Sequence, residues 1–333
     1  MNTEQPILIA GLGSIGRRHL QNLLALGYDN LLLYRTGKST LPENPFEHIP
    51  TEYDLAAALA KKPLATIIAN PTALHLPVAI EAAKAGSHLL LEKPISHSLD
   101  GIAELQRIVT QNHLKVMMGF QYRFHPALQQ VKTWLDQAKI GQIVTAEAHY
   151  GEYLPGWHPW EDYRKSYSAQ AALGGGVLLT LCHPFDMLRW LVGEITAVSA
   201  VTGIIGGLEV DSEDTALTLL QFDSGAFGSV HLNYVERPTA RWVHLVGQCG
   251  TIHWDDISGK AILYEAETEE TTVFNPPAHY ERNVMFLHEM GEFLNLIFDE
   301  PVKSLSTFAD GIRIQHIIEA IKLAAAERTW QNV

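Results

Sequence analysis

The sequence predicts an α/β protein of two domains, a parallel sheet covered by helices on both faces followed by an α+β domain with a mainly antiparallel sheet. A chain of 333 residues is too long for one ordinary core. Its composition, 47% hydrophobic and 18% charged, is that of a globular protein. The hydrophobic pattern also changes near residue 122, where proline interrupts it. We therefore expect domains over residues 1–122 and 123–333.

The first domain alternates short apolar strands with amphipathic helices. Strands that are apolar throughout belong to parallel sheets buried on both faces, and ligands bind at the carboxyl ends of such strands. The predicted strands cover residues 6–10, 31–34, 65–69, 89–92 and 115–120, and the predicted helices cover 14–26, 53–62, 72–86 and 98–113.

The segment GLGSIG (11–16) follows the first strand and opens the first helix. In this setting Gly11 permits a tight turn, Gly13 lets a pyrophosphate approach the backbone, and Gly16 lets helix pack on strand. Ser14 and Ile15 complete the turn at the positive helix N-terminus. A glycine-rich turn without a ligand is the alternative, but the strand on each side favours a dinucleotide site.

The segment HLLLEKPIS (88–96) places Lys93 at the carboxyl end of an apolar strand. A lysine at this position either exposes its charge to solvent or serves a function. Asn70 follows the neighbouring strand ATIIA, so it lies at the same edge of the sheet. A solvated charge is the alternative for Lys93, and the surrounding motifs favour catalysis.

The second domain begins with a helix over 127–138 and ends with a long amphipathic helix over 308–327. Between them, strands separated by turn signals are expected at 143–153, 216–222, 226–235 and 242–248. The segment GGGVLLTLCHPFDMLRWLVG (174–193) predicts one helix that carries Thr180, His183 and Asp186 on a single face. Asp186 could equally serve only to cap or pad that helix.

Residues 153–170 form a long loop rich in aromatic and charged residues, which is typical of a functional segment. Aromatic faces stack on sugar C–H surfaces, and polar side chains nearby can bind hydroxyl groups. We therefore expect substrate contacts from Tyr153, Trp157 and His158. Anchoring of the loop by its aromatic residues is the alternative interpretation.

These motifs together resemble the glucose–fructose oxidoreductase/inositol dehydrogenase (Gfo/Idh/MocA) family. The resemblance rests on GLGSIG, on a P-x-x-x-H-like segment ending at His75, and on Glu92-Lys93-Pro94, in that order and spacing. It covers essentially the whole chain. It implies a Rossmann domain, then an open sheet that presents substrate to a nicotinamide, and a dimer or tetramer formed through that sheet.

The resemblance also implies roles for individual residues. Lys93 would hydrogen-bond the reacting oxygen, and His183 would exchange the hydroxyl proton. Thr180 stands where the family commonly has an aspartate, and a threonine cannot raise the basicity of a neighbouring histidine as a carboxylate would. The implied cofactor contacts beyond the glycines are Asn70, His75, Glu92, Lys93, Gln121 and Arg164, and the implied substrate contacts include Arg123, Thr180 and Asp186.

The end of the second strand predicts NADP rather than NAD, although NAD stays possible. NAD-specific folds carry an acidic residue roughly 20 residues past the first glycine. Here the chain reads LLLYRTGKS (31–39), with no carboxylate. Arg35, Thr36 and Lys38 could instead bind a 2′-phosphate. A basic surface turn without a ligand is the alternative.

Composition narrows the function further. A net charge of −13 argues against nucleic-acid binding, and the short first apolar run argues against a membrane span or signal peptide. Two cysteines without a C-x-x-C pair suggest a cytoplasmic protein, and scattered histidines suggest no metal. We expect a sugar, nucleotide-sugar or cyclitol dehydrogenase. An NAD-assisted glycosidase and a non-catalytic sugar-responsive regulator are the alternatives.

Overall fold

The computed structural model describes residues 4–37, 46–158, 161–303 and 306–333. Its first sheet consists of six strands: β1 (Ile7–Ala10), β2 (Leu31–Tyr34), β3 (Thr51–Glu52), β4 (Ala65–Ile68), β5 (His88–Glu92) and β6 (Val116–Gly119). The order is β3-β2-β1-β4-β5-β6, and every neighbouring pair is parallel. The chain thus reverses direction across the sheet between β1 and β4, where doubly wound folds bind ligands.

Four helices connect these strands: α1 (Ser14–Ala25), α2 (Leu55–Ala60), α3 (His75–Lys84) and α4 (Ile102–Gln111). All four were predicted, with ends that differ by a few residues. The helix predicted from residue 72 starts instead as a 3-10 turn, Thr72–Leu74, before α3. The first third of the chain is therefore the parallel, helix-covered sheet that the sequence predicts.

The glycine turn before α1 is packed too tightly for larger residues. Gly11 has a φ of +97°, a conformation that side chains other than glycine rarely adopt. A Cβ atom on Gly16 would lie 2.0 Å from the carbonyl oxygen of Gly11. The two glycines therefore let the first turn of α1 rest directly on the strand-to-helix turn.

The second sheet has nine strands: β7 (Ile143–Tyr153), β8 (Ile195–Gly203), β9 (Thr215–Phe222), β10 (Phe227–Asn233), β11 (Val235–Gly247), β12 (Gly250–Asp255), β13 (Lys260–Glu265), β14 (Glu270–Phe274) and β15 (Gln331–Asn332). Their order is β14-β13-β12-β11-β7-β10-β9-β8-β15. The pairing is antiparallel except between β7 and β10. The mainly antiparallel sheet is confirmed, and the strand predicted at 242–248 proves to be the end of the longer β11.

Five helices lie in the rest of the described chain after β6: α5 (Pro126–Asp136), α6 (Val177–Thr180), α7 (His183–Val192), α8 (Asn283–Ile297) and α9 (Phe308–Glu327). The prediction of one helix across 174–193 is wrong, because α6 ends at Thr180 and α7 starts at His183. Pro184, in the first turn of α7, has no N–H to continue the helix from α6. Thr180 and His183 therefore do not share a helical face.

Helices α5, α7 and α9 pack against the second sheet. Alternate residues of β9 and β10 are buried, and the intervening side chains face outward. Exposed apolar side chains of this outer face are Val201, Leu217, Leu219, Phe227, Ile262, Tyr264 and Val273. The use of this face for association stays a prediction.

The C-terminal segment returns to the first sheet. The Met118 amide donates a hydrogen bond of 2.9 Å to the Ser306 carbonyl, α8 packs against α1, and α9 packs against β6. The domain boundary at residues 122 and 123 stays a prediction, since chain from both sides of it contributes to the same core. No single described helix is long and apolar enough to cross a membrane, although segments 171–180 and 183–192, bent by 40°, pass that test as a pair.

Candidate active site

Lys93 follows the carboxyl end of β5, and its side chain is bound to the last residue of α6. Its Nζ donates a hydrogen bond of 2.6 Å to the Thr180 carbonyl oxygen. Burial opposes its charge, but the surrounding Cys182, Tyr167 and Glu92 more than offset this, so the pKa of Lys93 is raised. Lys93 is thus a fixed cation at neutral pH, able to donate a hydrogen bond and unable to act as a base.

His183 is the first residue of α7, and only 6% of it is exposed. One ring nitrogen, Nε2, lies 3.1 Å from Nε2 of Gln121. Burial, followed by the positive charges of Lys93, Arg282 and Arg241, holds the pKa of His183 well below its usual value. The imidazole is therefore neutral at pH 7 and can accept a proton.

The link between Lys93 and His183 runs through the break between α6 and α7. Lys93 is bound to the main chain of Thr180, three residues before His183, so the contact does not require a particular side chain at position 180. The threonine leaves the site without the carboxylate that would raise the pKa of His183. The arrangement thus keeps Lys93 charged and His183 neutral.

Glu92, the residue before Lys93, makes hydrogen bonds within the protein. Its Oε1 lies 2.7 Å from Nε2 of His19 on α1, and its Oε2 accepts a hydrogen bond of 3.3 Å from the Lys93 amide. Burial, together with the neighbouring Glu92, raises the pKa of Glu289 well above its usual value, so that carboxyl is protonated. These contacts join Glu92 to α1 and to the Lys93 amide, and the expected cofactor contact of Glu92 stays a prediction.

His75 contacts the protein backbone through both ring nitrogens, and its expected cofactor contact stays a prediction. Its ring is 2% exposed, with Nδ1 2.8 Å from the Pro94 carbonyl and Nε2 2.8 Å from the Asn70 carbonyl. Both nitrogens thus face the protein backbone. The ring ties the end of β4 to the end of β5, which fixes Asn70 at the same sheet edge as Lys93.

Arg123 and Asp186, both expected to bind substrate, are bound to each other. Arg123 donates two hydrogen bonds to the Asp186 carboxylate, of 3.0 and 2.6 Å, and a third of 3.1 Å to Asp310 on α9. Both residues are buried. These bonds meet hydrogen-bonding needs of both charges and join α7 to α9, and the substrate contacts expected of Arg123 and Asp186 stay predictions.

The aromatic loop is anchored by contacts of its own. Arg237 stacks on the Tyr153 ring at 4.1 Å, Trp157 packs edge-on against Tyr234, and His158 lies 3.4 Å from Glu161. Arg164 is exposed and forms ion pairs with Asp162 and Glu209. These contacts support the anchoring interpretation, and the substrate and cofactor roles of these loop residues stay predictions.

The sequence analysis missed a charged cluster beside His183. Arg241 Nε lies 3.1 Å from Asp256, and its Nη1 lies 3.3 Å from the Tyr122 hydroxyl and 3.7 Å from Glu152. The Tyr122 ring packs edge-on against the His183 ring at 5.0 Å. No motif marks these residues, because they come from β7, β11 and separate turns that only the fold brings together.

The residues at the start of α1 fit a dinucleotide. Gly13 caps the helix without a side-chain hydrogen bond, and the first turn of this fully described helix has no acidic side chain. A Cβ on Gly13 would meet nothing within 4 Å, so there is open space beside the N-terminus of α1. Free N–H groups at a helix N-terminus are a binding site for phosphate.

A cavity of about 490 Å³ lies next to the end of β2, where the adenosine end of a dinucleotide is expected. It is lined by Arg35, Glu47, His48, Ile49, Pro50, Thr51 and Tyr53. Thr36 is exposed beside it. Lys38 lies outside the described residues. Within the described residues, no group of three or more His, Cys, Asp or Glu side chains could hold a metal ion.

The chain matches two family models. Residues 6–120 match an oxidoreductase family with an NAD-binding Rossmann fold, and residues 128–253 match the GFO/IDH/MocA C-terminal domain. Among curated relatives, levoglucosan dehydrogenase of Pseudarthrobacter phenanthrenivorans is 27% identical over 80% of this chain and 79% of its own length. Myo-inositol 2-dehydrogenase of Thermotoga maritima is 25% identical over 92% and 87%.

Solved structures agree with the fold. A levoglucosan dehydrogenase in complex with NADH and levoglucosan superimposes with a TM-score of 0.87 at 22% identity, covering 100% of this chain and 99% of that one. The WlbA dehydrogenase of Bordetella pertussis, in complex with NADH and UDP-GlcNAcA, gives 0.83 at 19% identity, covering 99% of each chain. With both of its halves matched, the chain belongs to the GFO/IDH/MocA family of oxidoreductases, whose N-terminal domain is an NAD-binding Rossmann fold.

Proposed function

We propose that the protein is a dehydrogenase in which a bound nicotinamide exchanges a hydride with a secondary alcohol or ketone of a sugar, nucleotide sugar or cyclitol. The observation that carries the proposal is the pairing of a fixed cation, Lys93, with a neutral imidazole, His183. Two titratable groups whose surroundings push their pKa values apart are typical of acid–base catalysis. The dehydrogenases among the relatives, named for levoglucosan and myo-inositol, support the substrate class.

In this mechanism Lys93 donates a hydrogen bond to the reacting oxygen and stabilises negative charge that develops there. The neutral His183 accepts the hydroxyl proton in oxidation and returns it in reduction. Glu92 and His75 hold the strand ends that position Lys93 and Asn70. Gln121, next to Nε2 of His183, fixes the ring and influences which nitrogen carries the proton.

The function is tested with a panel of sugars, cyclitols and nucleotide sugars offered with NAD and with NADP. A lasting change in nicotinamide absorbance with at least one substrate is expected. Release of an aglycone without net cofactor conversion would identify a glycosidase. Binding of sugar without turnover of any kind would identify a regulator.

We further propose that the cofactor is NADP. Arg35 lines the cavity beside β2, and the end of that strand lacks the carboxylate that binds a ribose 2′-hydroxyl. A guanidinium can bind a 2′-phosphate through two parallel hydrogen bonds. Two observations favour NAD instead: Glu47 lines the same cavity, and the similar structures contain NADH.

Fluorescence titration with NADPH and NADH decides between the two cofactors. NADPH should bind about tenfold more tightly, a difference of roughly 1.4 kcal/mol, and Arg35→Ala should remove most of it. Tighter binding of NADH by the unmodified protein would contradict the assignment.

We also propose that the protein forms a homodimer or homotetramer through the outer face of the second sheet. The side chains of Leu217, Leu219 and Phe227 lie next to one another on this face and are about half exposed or more. Association would remove that apolar surface from water, and monomeric proteins rarely expose extended apolar patches.

A further inference from the structure

Glu152, near the end of β7, has a carboxylate that is largely withdrawn from solvent and accepts no hydrogen bond from any residue that the structure describes. Its side chain is 19% exposed, and within the described chain its one ion pair is with Arg241, where Glu152 Oε1 lies 3.7 Å from Arg241 Nη1. That distance is too long for a hydrogen bond. Because carboxylates removed from water are normally hydrogen-bonded, an unbonded one indicates that a ligand supplies the donors.

The position of Glu152 in β7 directs its side chain to the inner face of the second sheet. Successive side chains of a strand alternate between the two faces, so Glu152 lies on the same face as Tyr150, which is 2% exposed. Tyr150 is paired with Arg241 on β11, and its ring packs edge-on against the Tyr122 ring at 5.8 Å. Glu152 and Arg241 are therefore neighbours on the face that Tyr122 covers.

A short chain of contacts joins this face to the reacting groups. Arg241 Nη1, the atom nearest to Glu152, lies 3.3 Å from the Tyr122 hydroxyl. The Tyr122 ring in turn packs edge-on against the His183 ring at 5.0 Å. Glu152 is thus separated from His183 by one guanidinium group and one tyrosine ring.

Lys93 is also influenced by this carboxylate. Burial opposes the charge of the lysine, whereas the groups around it raise its pKa, and Glu152 contributes to that rise after Cys182, Tyr167 and Glu92. The carboxylate therefore lies on the side of the site from which Lys93 is reached.

A carboxylate that only balances the charge of Arg241 is the alternative interpretation. However, Arg241 has a closer partner in Asp256, which lies 3.1 Å from its Nε and also accepts a hydrogen bond of 3.2 Å from the Tyr122 hydroxyl. Glu152 therefore keeps its capacity to accept hydrogen bonds, which for a carboxylate is about four. A ligand that uses this capacity must carry several O–H or N–H donors close together.

We propose that Glu152 binds the substrate by accepting hydrogen bonds from two adjacent hydroxyl groups of the sugar ring, away from the carbon that reacts beside Lys93 and His183. The inference rests on the proposed function and narrows its substrate to a sugar or cyclitol in which two neighbouring hydroxyl groups are free. A carboxylate suits this role because its two oxygens can each accept from one hydroxyl group. Hydrogen bonds to a charged acceptor are also about twice as strong as those between neutral groups.

The experiment measures sugar binding to the protein saturated with reduced cofactor, so that it does not depend on turnover. Isothermal titration first compares levoglucosan, myo-inositol, D-glucose and D-galactose. The monodeoxy analogues of the sugar that binds most tightly are then titrated in the same way. Removal of either of two adjacent hydroxyl groups should weaken binding about tenfold, which corresponds to roughly 1.4 kcal/mol.

Glu152→Gln keeps the size of the side chain and removes its charge. It should weaken binding of the parent sugar about tenfold and reduce the loss of affinity caused by each missing hydroxyl group. Glu147→Gln is the matched control, because Glu147 is an exposed residue of the same strand on the opposite face. The control variant should bind every sugar as the unmodified protein does, and both variants should keep the affinity for reduced cofactor.

Three results would overturn the inference: no sugar of the panel binds, no pair of adjacent hydroxyl groups contributes to binding, or the contribution of such a pair survives Glu152→Gln unchanged. A different result bears on the proposed function alone. If a sugar binds through Glu152 but no sugar is ever oxidised or reduced, the binding site stands and the dehydrogenase assignment fails.

Discussion

Replacing Lys93 with methionine should separate its chemical role from its structural one. The substitution keeps a long apolar stem and removes the charge and the hydrogen bond to the Thr180 carbonyl. One charge-assisted donor aimed at a developing oxyanion contributes about 3 kcal/mol, so kcat should fall roughly a hundredfold. Cofactor affinity should change little, because we expect the cofactor phosphates to bind at the start of α1.

The same variant should also change the pH dependence. Burial and then Lys93 are the main causes of the low pKa of His183, so removing Lys93 should move that pKa upward, towards 6.5. Oxidation needs the neutral imidazole, and its rate is lost as the pH falls through the pKa of His183. The unmodified protein should therefore hold its rate to well below pH 6.5, whereas the variant should lose rate at a higher pH.

Steady-state rates of sugar oxidation across the acid range test both effects. Lys84→Met is the control, because Lys84 is an exposed lysine on α3 whose partners are surface carboxylates. Near-normal turnover in the Lys93→Met protein would return Lys93 to the status of a solvated strand-end charge. A reduced rate with an unmoved acid limb would show that His183 is not the base.

Three further predictions concern the fold and its assembly. Burial lowers the pKa of His125 to about 4 in the native protein. Below pH 6.5 the unfolded chain therefore binds a proton at this residue that the native protein does not bind. The free energy of unfolding that is present at neutral pH is lost as the pH falls towards 4. The free energy of unfolding is measured in urea at about pH 7 and about pH 4.5 for the unmodified protein and for His125→Asn, which keeps a helix-capping acceptor. The variant should lose less stability at the lower pH, by up to about 3 kcal/mol, and an equal loss of stability in both proteins would contradict the prediction. Gly16→Ala should lower the Tm of the cofactor-free protein, because its Cβ would collide with Gly11, whereas Gly13→Ala should leave that Tm unchanged and weaken NAD(P)H binding; equal Tm values for the two variants would be inconsistent with the tight turn. Leu219→Asp, on the outer face of the second sheet, should yield a monomer by light scattering, and an oligomer of unchanged size would place the interface elsewhere.

Local patterns in the sequence were sufficient to predict the first sheet and to place the glycine turn and Lys93 at its edge. Apolar strands and helical periodicity are properties of a few neighbouring residues, and the order of elements then dictates a parallel sheet. The glycines of the turn and Lys93 at the end of β5 follow from that order, because parallel strands present their carboxyl ends at one edge. The long helix α9 was predicted to the residue, since its apolar face repeats over five turns or more.

The roles of polar residues depended on contacts between distant segments, and these only the tertiary structure decided. Arg123 carries no sign in the sequence that Asp186 and Asp310 will meet its guanidinium. Likewise, nothing local indicates that both nitrogens of His75 will face carbonyl groups, or that Glu92 will lie against His19. The role of a charged side chain depends on which groups the fold places within a few ångströms of it. Those groups can come from any part of the chain.

The sequence by itself determined which chemical groups this protein has at the ends of its parallel strands. The fold determined their protonation states, because burial and neighbouring charges set the pKa values. Lys93 and His183 were identified from motifs, but the neutral state of the histidine comes from its burial and from Lys93, Arg282 and Arg241, which reach it from three separate elements. Desolvation and Coulomb interactions act through space, so a linear pattern cannot encode them in a form that can be read residue by residue.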